Sequence, residues 1–209
     1  MSKKALNLYA GIGGNRKNWP EEWEVTAVEI NQEVADVYKK NFPNDTVIVG
    51  DAHEYLLKHF NEFDFIWSSP PCYTHTRLNR TNIVKNGLIR YQDMKLYQEI
   101  LLLQTHAKCK WVVENVIPFY EPLIKPTKEL HRHLFWCNFT LADMKKAERR
   151  GLTSMTKEEL EEHIGIKVEN NIYLNGNHDP VQVLRNCVVP ELGLHVLECA
   201  FKTKQRTLL

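Results

Sequence analysis

The sequence predicts an α/β fold, a mostly parallel β-sheet with helices on both faces. Three observations point that way. Short apolar segments alternate with longer stretches of helical spacing through the first half of the chain. A glycine-rich turn, Gly11-Ile12-Gly13-Gly14, follows the first of those segments. Glu29, Asp51, Cys72 and Glu114 each fall at or just beyond the end of a strand-like segment, where open α/β sheets collect their ligands.

In chain order, strands are expected over Ala5–Tyr9, Glu24–Glu29, Thr46–Val49, Phe63–Trp67 and Trp111–Glu114, each a short β-branched or aromatic run. Gln32–Asn41, His53–Phe60 and Asp93–Ala107 carry apolar residues at helical spacing. Beyond Phe139 the pattern changes. Leu141–Arg150 and Thr156–His163 are expected as two charged helices, residues 170–179 are polar with Asn175-Gly176 as a turn signal, and a last helix is expected over Glu191–Phe201.

The 209 residues suffice for one α/β domain with a real core. Hydrophobic residues make up 43% and charged residues 25%, the balance of a globular rather than a disordered chain. No apolar run approaches the roughly 20 residues of a membrane span. Met1-Ser2-Lys3-Lys4 leads straight into the first strand, leaving no room for a signal peptide, so a cytoplasmic protein is expected. The five cysteines are scattered without a CxxC pair, which argues for reduced thiols and against a zinc knuckle, and no metal ligand set stands out.

The net charge is only +1, but its distribution is uneven. Between Phe65 and Gln92 there is no acidic residue, while Arg77, Arg80, Lys85 and Arg90 fall there along with Tyr73 and His75. A solvated loop is one explanation. Contact with nucleic-acid phosphates is the other.

Tyr9-Ala10-Gly11-Ile12-Gly13-Gly14 has the character of a cofactor turn, because glycines let a ligand approach the main chain. Glu29, with Ile30 beside it, stands where an acid meets ribose hydroxyls, and Asp51, followed by Ala52, stands where one meets an adenine amine. There is no GKS or GKT, and Arg16 replaces the third glycine of the dinucleotide fingerprint. The missing pyrophosphate signature points to a nucleoside without phosphates, such as S-adenosylmethionine.

Ser69-Pro70-Pro71-Cys72 leaves the fourth strand, and two prolines stiffen the exit that presents Cys72. Polar and cationic neighbours in sequence are expected to favour its thiolate. Glu114 closes the fifth strand, where a carboxylate needs a partner or a task. Adjacent parallel strands would bring the two together, as covalent catalysis on an electrophilic ring requires.

In these segments, taken in order, the chain resembles the cytosine C5 DNA methyltransferases. Residues 9–14 are similar to their first motif, with Tyr9 for the usual Phe; Ser69–Cys72 resembles the nucleophile motif and Glu114-Asn115-Val116 the glutamate motif. His131–Phe139 looks like a variant eighth motif and Arg185-Asn186-Cys187-Val188 like the tenth. The amino-methyltransferases of similar fold carry an aromatic residue where Cys72 stands, so the thiol favours carbon as the methyl acceptor.

The resemblance implies a Rossmann-like S-adenosylmethionine-dependent DNA (cytosine-5)-methyltransferase acting on a flipped cytosine of duplex DNA. Cys72, Glu114 and Arg132 would be catalytic. Tyr9, Gly11, Ile12, Gly14, Glu29, Ile30, Asp51, Ala52, Pro71, Asn186 and Cys187 would hold the cofactor, and Arg77, Arg80, Lys85 and Arg90 the nucleic acid. It implies a core over residues 1–139, a short insert over 140–179 in place of a target-recognition domain, and a pocket-completing segment over 180–209.

Two departures matter. The eighth motif usually offers two arginines; here the register gives either Arg132 or His133 near cytosine O2, and Arg132 is preferred for its fixed charge. The insert is short, so short or relaxed sequence specificity is expected, in a monomer suited to a phage, a restriction-modification system or another mobile element. An RNA (tRNA) cytosine methyltransferase and a catalytically silent DNA-binding relative are the alternatives.

Overall fold

The computed structural model describes residues 2–77, 79–81, 87, 90–145, 154–168, 172–174, 177–178 and 180–202. Strands β1 (Lys4–Leu8), β2 (Glu24–Glu29), β3 (Thr46–Val49), β4 (Phe65–Ser68) and β5 (Lys110–Val116) alternate with helices α1 (Gln32–Asn41), α2 (Ala52–His59) and α3 (Lys95–His106). Then follow β6 (Lys128–Leu130), β7 (His133–Cys137), α4 (Lys157–Ile164), β8 (Tyr173–Leu174), β9 (Asn177–His178), α5 (Pro180–Arg185) and α6 (Pro190–Phe201).

Seven strands form one sheet in the order β3-β2-β1-β4-β5-β7-β6. The first five are parallel, and β7 and β6 add antiparallel to the β5 edge. The chain reverses its direction of travel between β1 and β4, which opens a crevice above their C-terminal ends. Both the glycine turn and the Ser69–Cys72 loop leave the sheet there.

Alternation along each strand builds the two faces. Ala5, Phe65, Trp67 and Val112 point into a core closed by Leu192 and Val196 of α6. Leu6, Leu8, Ile66 and Val113 point the other way, against Leu56 of α2 and Leu96, Ile100 and Leu103 of α3. A third cluster joins Ile12, Ala27, Val34 and Tyr38 to Leu160 and Ile164 of α4 and Val183 and Leu184 of α5. The α/β architecture predicted by the sequence is therefore the one observed.

The expected strands and the helices of the first half lie within two residues of their observed bounds. Leu141–Arg150 differs. Residues 141–145 are not helical, and 146–150 lie outside the described residues. Leu141 is buried in the core, and the Ala142 carbonyl accepts a hydrogen bond from His195 Nε2 of α6 at 3.0 Å, so tertiary contacts take the segment before a helix can. Asn175-Gly176 also lies outside the described residues, between the two strands of the small β8–β9 hairpin. The antiparallel pair β6–β7 and the short α5 were not expected.

Candidate active site

The glycine turn begins with Tyr9 at φ +54° and continues through Gly11 at +54° and Gly13 at +89°. The three glycines have different reasons. A Cβ on Gly11 would meet nothing within 4 Å, leaving open space through which a ligand can approach the backbone. A Cβ on Gly13 would strike Phe42 Cε2 at 2.3 Å, and one on Gly14 would strike the Val188 carbonyl at 2.6 Å and Cys187 Cβ at 2.8 Å. Cys187 is thus packed directly behind the turn. Burial pushes its thiol up to about 12. Asn186 Oδ1 accepts from Gln182 Nε2. Arg16, which replaced a glycine of the dinucleotide fingerprint, is buried in a two-pronged ion pair with Asp45 at 3.0 and 3.1 Å.

Glu29 shapes the turn from the neighbouring strand. Its Oε2 accepts from the Gly11 amide at 2.9 Å and its Oε1 from the Asn31 amide at 3.0 Å. Ile30 beside it is 70% exposed at the strand end. Asp51 caps α2 through Oδ1, which accepts from the His53 and Glu54 amides. Its Oδ2 pairs with Lys95 of α3 at 2.9 Å, and the Lys95 hydrogen bond lowers the carboxyl below its usual range. Ala52 is buried as the first residue of α2.

Across the crevice, Pro70 is buried, Pro71 half-buried, and the Pro70 carbonyl accepts from Asn115 Nδ2 at 2.9 Å. That bond ties the Ser69–Cys72 loop to the end of β5. Cys72 is half-buried and its carbonyl accepts from the His75 and Thr76 amides. Burial first, and the Glu114 charge second, push its thiol up to about 11, while Arg132 acts in the opposite sense. The expected thiolate-favouring setting is thus corrected: the protein without substrate holds Cys72 as a thiol, because a buried sulfur beside a carboxylate resists ionisation.

Glu114 is buried with both oxygens engaged. Oε1 accepts from His133 Nδ1 at 2.5 Å, and Oε2 accepts from Ser69 Oγ at 2.7 Å. Burial opposes the charge, but His133, Ser69 and Arg132 together outweigh it and lower the carboxyl below its usual range. Arg132 Nε donates to His133 Nε2 at 3.3 Å, which leaves the ring proton on Nδ1, facing Glu114. Arg132 also donates to the Arg185 carbonyl at 3.1 Å. Of the two eighth-motif candidates, then, His133 touches Glu114 and Arg132 stands one residue outward. The antiparallel pairing of β7 with β5, which sets Phe135 opposite Glu114, brings them there, and His131 at φ +58° turns the chain into β7.

Arg77, Arg80 and Arg90 are all exposed on the segment after Cys72; Lys85 lies outside the described residues. Tyr73 is exposed, and Tyr91 is 95% exposed. His75 is not part of this surface. It is buried between the Tyr120 hydroxyl at 2.5 Å and the Asp93 carbonyl at 3.1 Å, and burial lowers its pKa.

Sequence reasoning missed Ser69, His133 as the partner of Glu114, and Glu99 of α3. Glu99 is fully buried beneath the crevice. The available signal was its place among Leu96, Ile100 and Leu103, on the apolar face of an amphipathic helix.

A glycine turn, two acids at successive strand ends, and a thiol and a carboxylate near the switch point thus stand on one Rossmann-like sheet. The profile of the C-5 cytosine-specific DNA methylases matches residues 3–119, and the chain belongs to that family. It is 39% identical over 84 residues to a tRNA (cytosine(38)-C(5))-methyltransferase of Spodoptera frugiperda, covering 37% of this chain and 25% of that protein. It is 34% identical over 83 residues to the protein of the same name from Homo sapiens, covering 37% of this chain and 21% of that one. The chain thus spans about a quarter or less of the length of these curated relatives. Among solved structures it is similar to a DNMT2 mutant from Spodoptera frugiperda, at 29% identity and a TM-score of 0.39 over 55% of this chain and 36% of the other. A putative methyltransferase, yhhF, from Escherichia coli is similar at 16% identity and a TM-score of 0.42, over 66% and 75%.

The methyl donor of the family is S-adenosylmethionine, and the residues fit it. The open space at Gly11 admits a ligand to the backbone, and the exposed Ile30 offers an apolar surface beside the Glu29 carboxylate. Among the described residues, no cluster of three metal-ligating side chains is found, and no helix is long and apolar enough to cross a membrane.

Proposed function

We propose that this chain methylates C5 of cytosine in DNA through a covalent bond from Cys72 to C6 of the base. The observation that carries the proposal is the doubly anchored Glu114 at the end of β5, whose neighbour Asn115 holds the Pro70 carbonyl of the loop that presents Cys72 and whose charge acts on the Cys72 thiol. Tyr9, Gly11, Ile12, Gly14, Glu29, Ile30, Asp51, Ala52 and Pro71 would hold the cofactor, with Asn186 and Cys187 behind the turn. S-adenosylmethionine supplies an electrophilic methyl group.

The protein's own residues do the rest. Cys72, once it has lost its proton, adds to C6 and drives the C5–C6 electron pair onto C5. Glu114 accepts from the exocyclic amine and, on taking up the proton that Cys72 gives up, donates it to N3, while Arg132 faces the charge developing toward O2. After C5 is alkylated, loss of its proton restores the double bond and expels the Cys72 thiolate. Donors fixed before the base arrives need no reorganisation during the reaction, which is where such sites gain most of their rate.

Duplex DNA would have to yield the base to this crevice, at a cost of about a few kcal/mol for unstacking. Arg77, Arg80, Lys85 and Arg90 follow the nucleophile directly and would take the backbone phosphates. Short or relaxed specificity, in a monomer, goes with the brief segment between the eighth and tenth motifs. A second reading, tRNA as substrate, is favoured by the names of the curated relatives.

Tritiated methyl transfer to duplex DNA and to tRNA, with wild type and Cys72→Ser, tests both. Label in DNA that Cys72→Ser abolishes supports the proposal. Label confined to tRNA selects the second reading, and label undiminished in Cys72→Ser removes the covalent step.

A further inference from the structure

Glu99 is a carboxylate with no exposed surface, placed by α3 under the crevice. A buried carboxylate is costly unless donors surround it, and here three do. The Tyr9 hydroxyl donates to Oε1 at 2.6 Å, His53 Nδ1 donates to the same oxygen at 3.0 Å, and the Ser68 hydroxyl donates to Oε2 at 2.5 Å. The donors share one property. Tyr9 precedes Gly11 by two residues, His53 follows Asp51 by two, and Ser68 immediately precedes Ser69, which holds Glu114. One carboxylate therefore touches the exits of β1 and β4 and the first turn of α2. One helical turn earlier, Lys95 of the same helix holds Asp51.

We infer that Glu99 is a positioning residue that sets cofactor affinity, by fixing the Tyr9 turn and the Asp51 cap to the strand that carries the nucleophile loop. The inference rests on the cofactor binding at the glycine turn. Several features agree with it. Tyr9 is held at a positive φ, which a bulky residue adopts only when its surroundings enforce it, and the Glu99 bond is a direct enforcer. Burial and the Glu99 carboxylate push the Tyr9 phenol well above its usual value, so it stays a donor. The Glu99 bond raises His53, which strengthens its hold as the proton is kept. A carboxylate serving only the stability of the core would have no reason to choose three donors that all flank site residues.

The test is calorimetric titration of the full chain with S-adenosylhomocysteine, alongside thermal unfolding without ligand and methyl-transfer kinetics at varied S-adenosylmethionine. Glu99→Gln keeps size and an acceptor but loses the charge. It is expected to weaken binding at least tenfold and to raise the cofactor KM in parallel, while kcat at saturating cofactor stays within about threefold. Tyr9→Phe, which keeps the ring and removes one hydroxyl, is expected to weaken binding three- to tenfold while thermal unfolding still shows a folded protein. In the Tyr9→Phe background, the effect of Glu99→Gln should shrink. Binding by both variants within twofold of wild type overturns the inference, as does a loss confined to kcat. Independent, fully multiplicative losses in the double variant also overturn it. If wild type itself does not bind S-adenosylhomocysteine, the glycine-turn site falls first, and that outcome is distinct from intact binding in both variants.

Discussion

At the residue scale, the coupling of Cys72 to Glu114 has a consequence that runs against intuition. With its thiol pushed up to about 11, Cys72 is ionised in roughly one molecule in ten thousand at neutral pH. Part of that resistance comes from the Glu114 charge. Glu114→Gln removes the charge, lowers the Cys72 pKa and should speed alkylation of Cys72 by iodoacetamide at pH 8 several-fold, read by peptide mass mapping. The same substitution should cut methyl transfer by about 10²-fold or more, since Gln cannot share a proton with N3. Slower alkylation, or unchanged turnover, would contradict this account. The sign for stability also follows. Glu114 has a lowered pKa in the folded state, so its contribution is full above the usual carboxylate range and is lost as pH falls through the lowered value. His133→Phe should therefore flatten the acid limb of stability, measured by urea unfolding between pH 3 and 6. Cys72 and Glu114 were legible in the sequence because a Pro-Pro exit and an acid at a strand end are local patterns. The roles of His133 and Glu99 were not, because each depends on a partner far along the chain.

At the element scale, the turn at Gly13-Gly14 is built as much by residues 187–193 as by its own. A Cβ on Gly193 of α6 would lie 2.1 Å from the Asn15 carbonyl oxygen, and the Gly193 carbonyl accepts from Trp19 Nε1 at 3.1 Å. Backbone cannot yield as a side chain can. Gly193→Ala should cost about 2–3 kcal/mol despite the better helix propensity of alanine, measured by urea titration. A gain in stability would refute the close approach. No local pattern marks Gly193; the sequence shows only a glycine where helix propensity disfavours one. The parallel strands and their helices were legible from period alone. The β6–β7 pair was not, since three- and five-residue strands within a basic motif carry little periodic signal, and the expected helix at Leu141 lost to burial beside α6.

At the scale of the whole molecule, charge is arranged rather than abundant. The net charge is +1, yet Arg77 and Arg80, in helical backbone, and Arg90 stand exposed on the segment after Cys72. Each phosphate contact contributes about 0.9 to the slope of log K against log salt on duplex DNA. Arg77→Ala with Arg80→Ala should lower that slope by up to about 2 and weaken binding across sequences alike, measured by fluorescence anisotropy at several salt concentrations. An unmoved slope would remove these residues from the interface. The family was legible because motifs keep their order along the chain. Substrate class was not, since DNA and tRNA offer the same base and the same phosphates.

The packing of Cys187, Val188 and Gly193 against Gly14 and Asn15 also bears on synthesis. The turn leaves the ribosome well before residues 187–193, which back it. A nascent chain halted before residue 187 carries every motif from the glycine turn to the glutamate, yet lacks the backbone that keeps the turn in shape. Ligand stabilises only what it binds, so the methyl donor would act as a late checkpoint, favouring chains translated past that point and leaving earlier arrests to proteolysis.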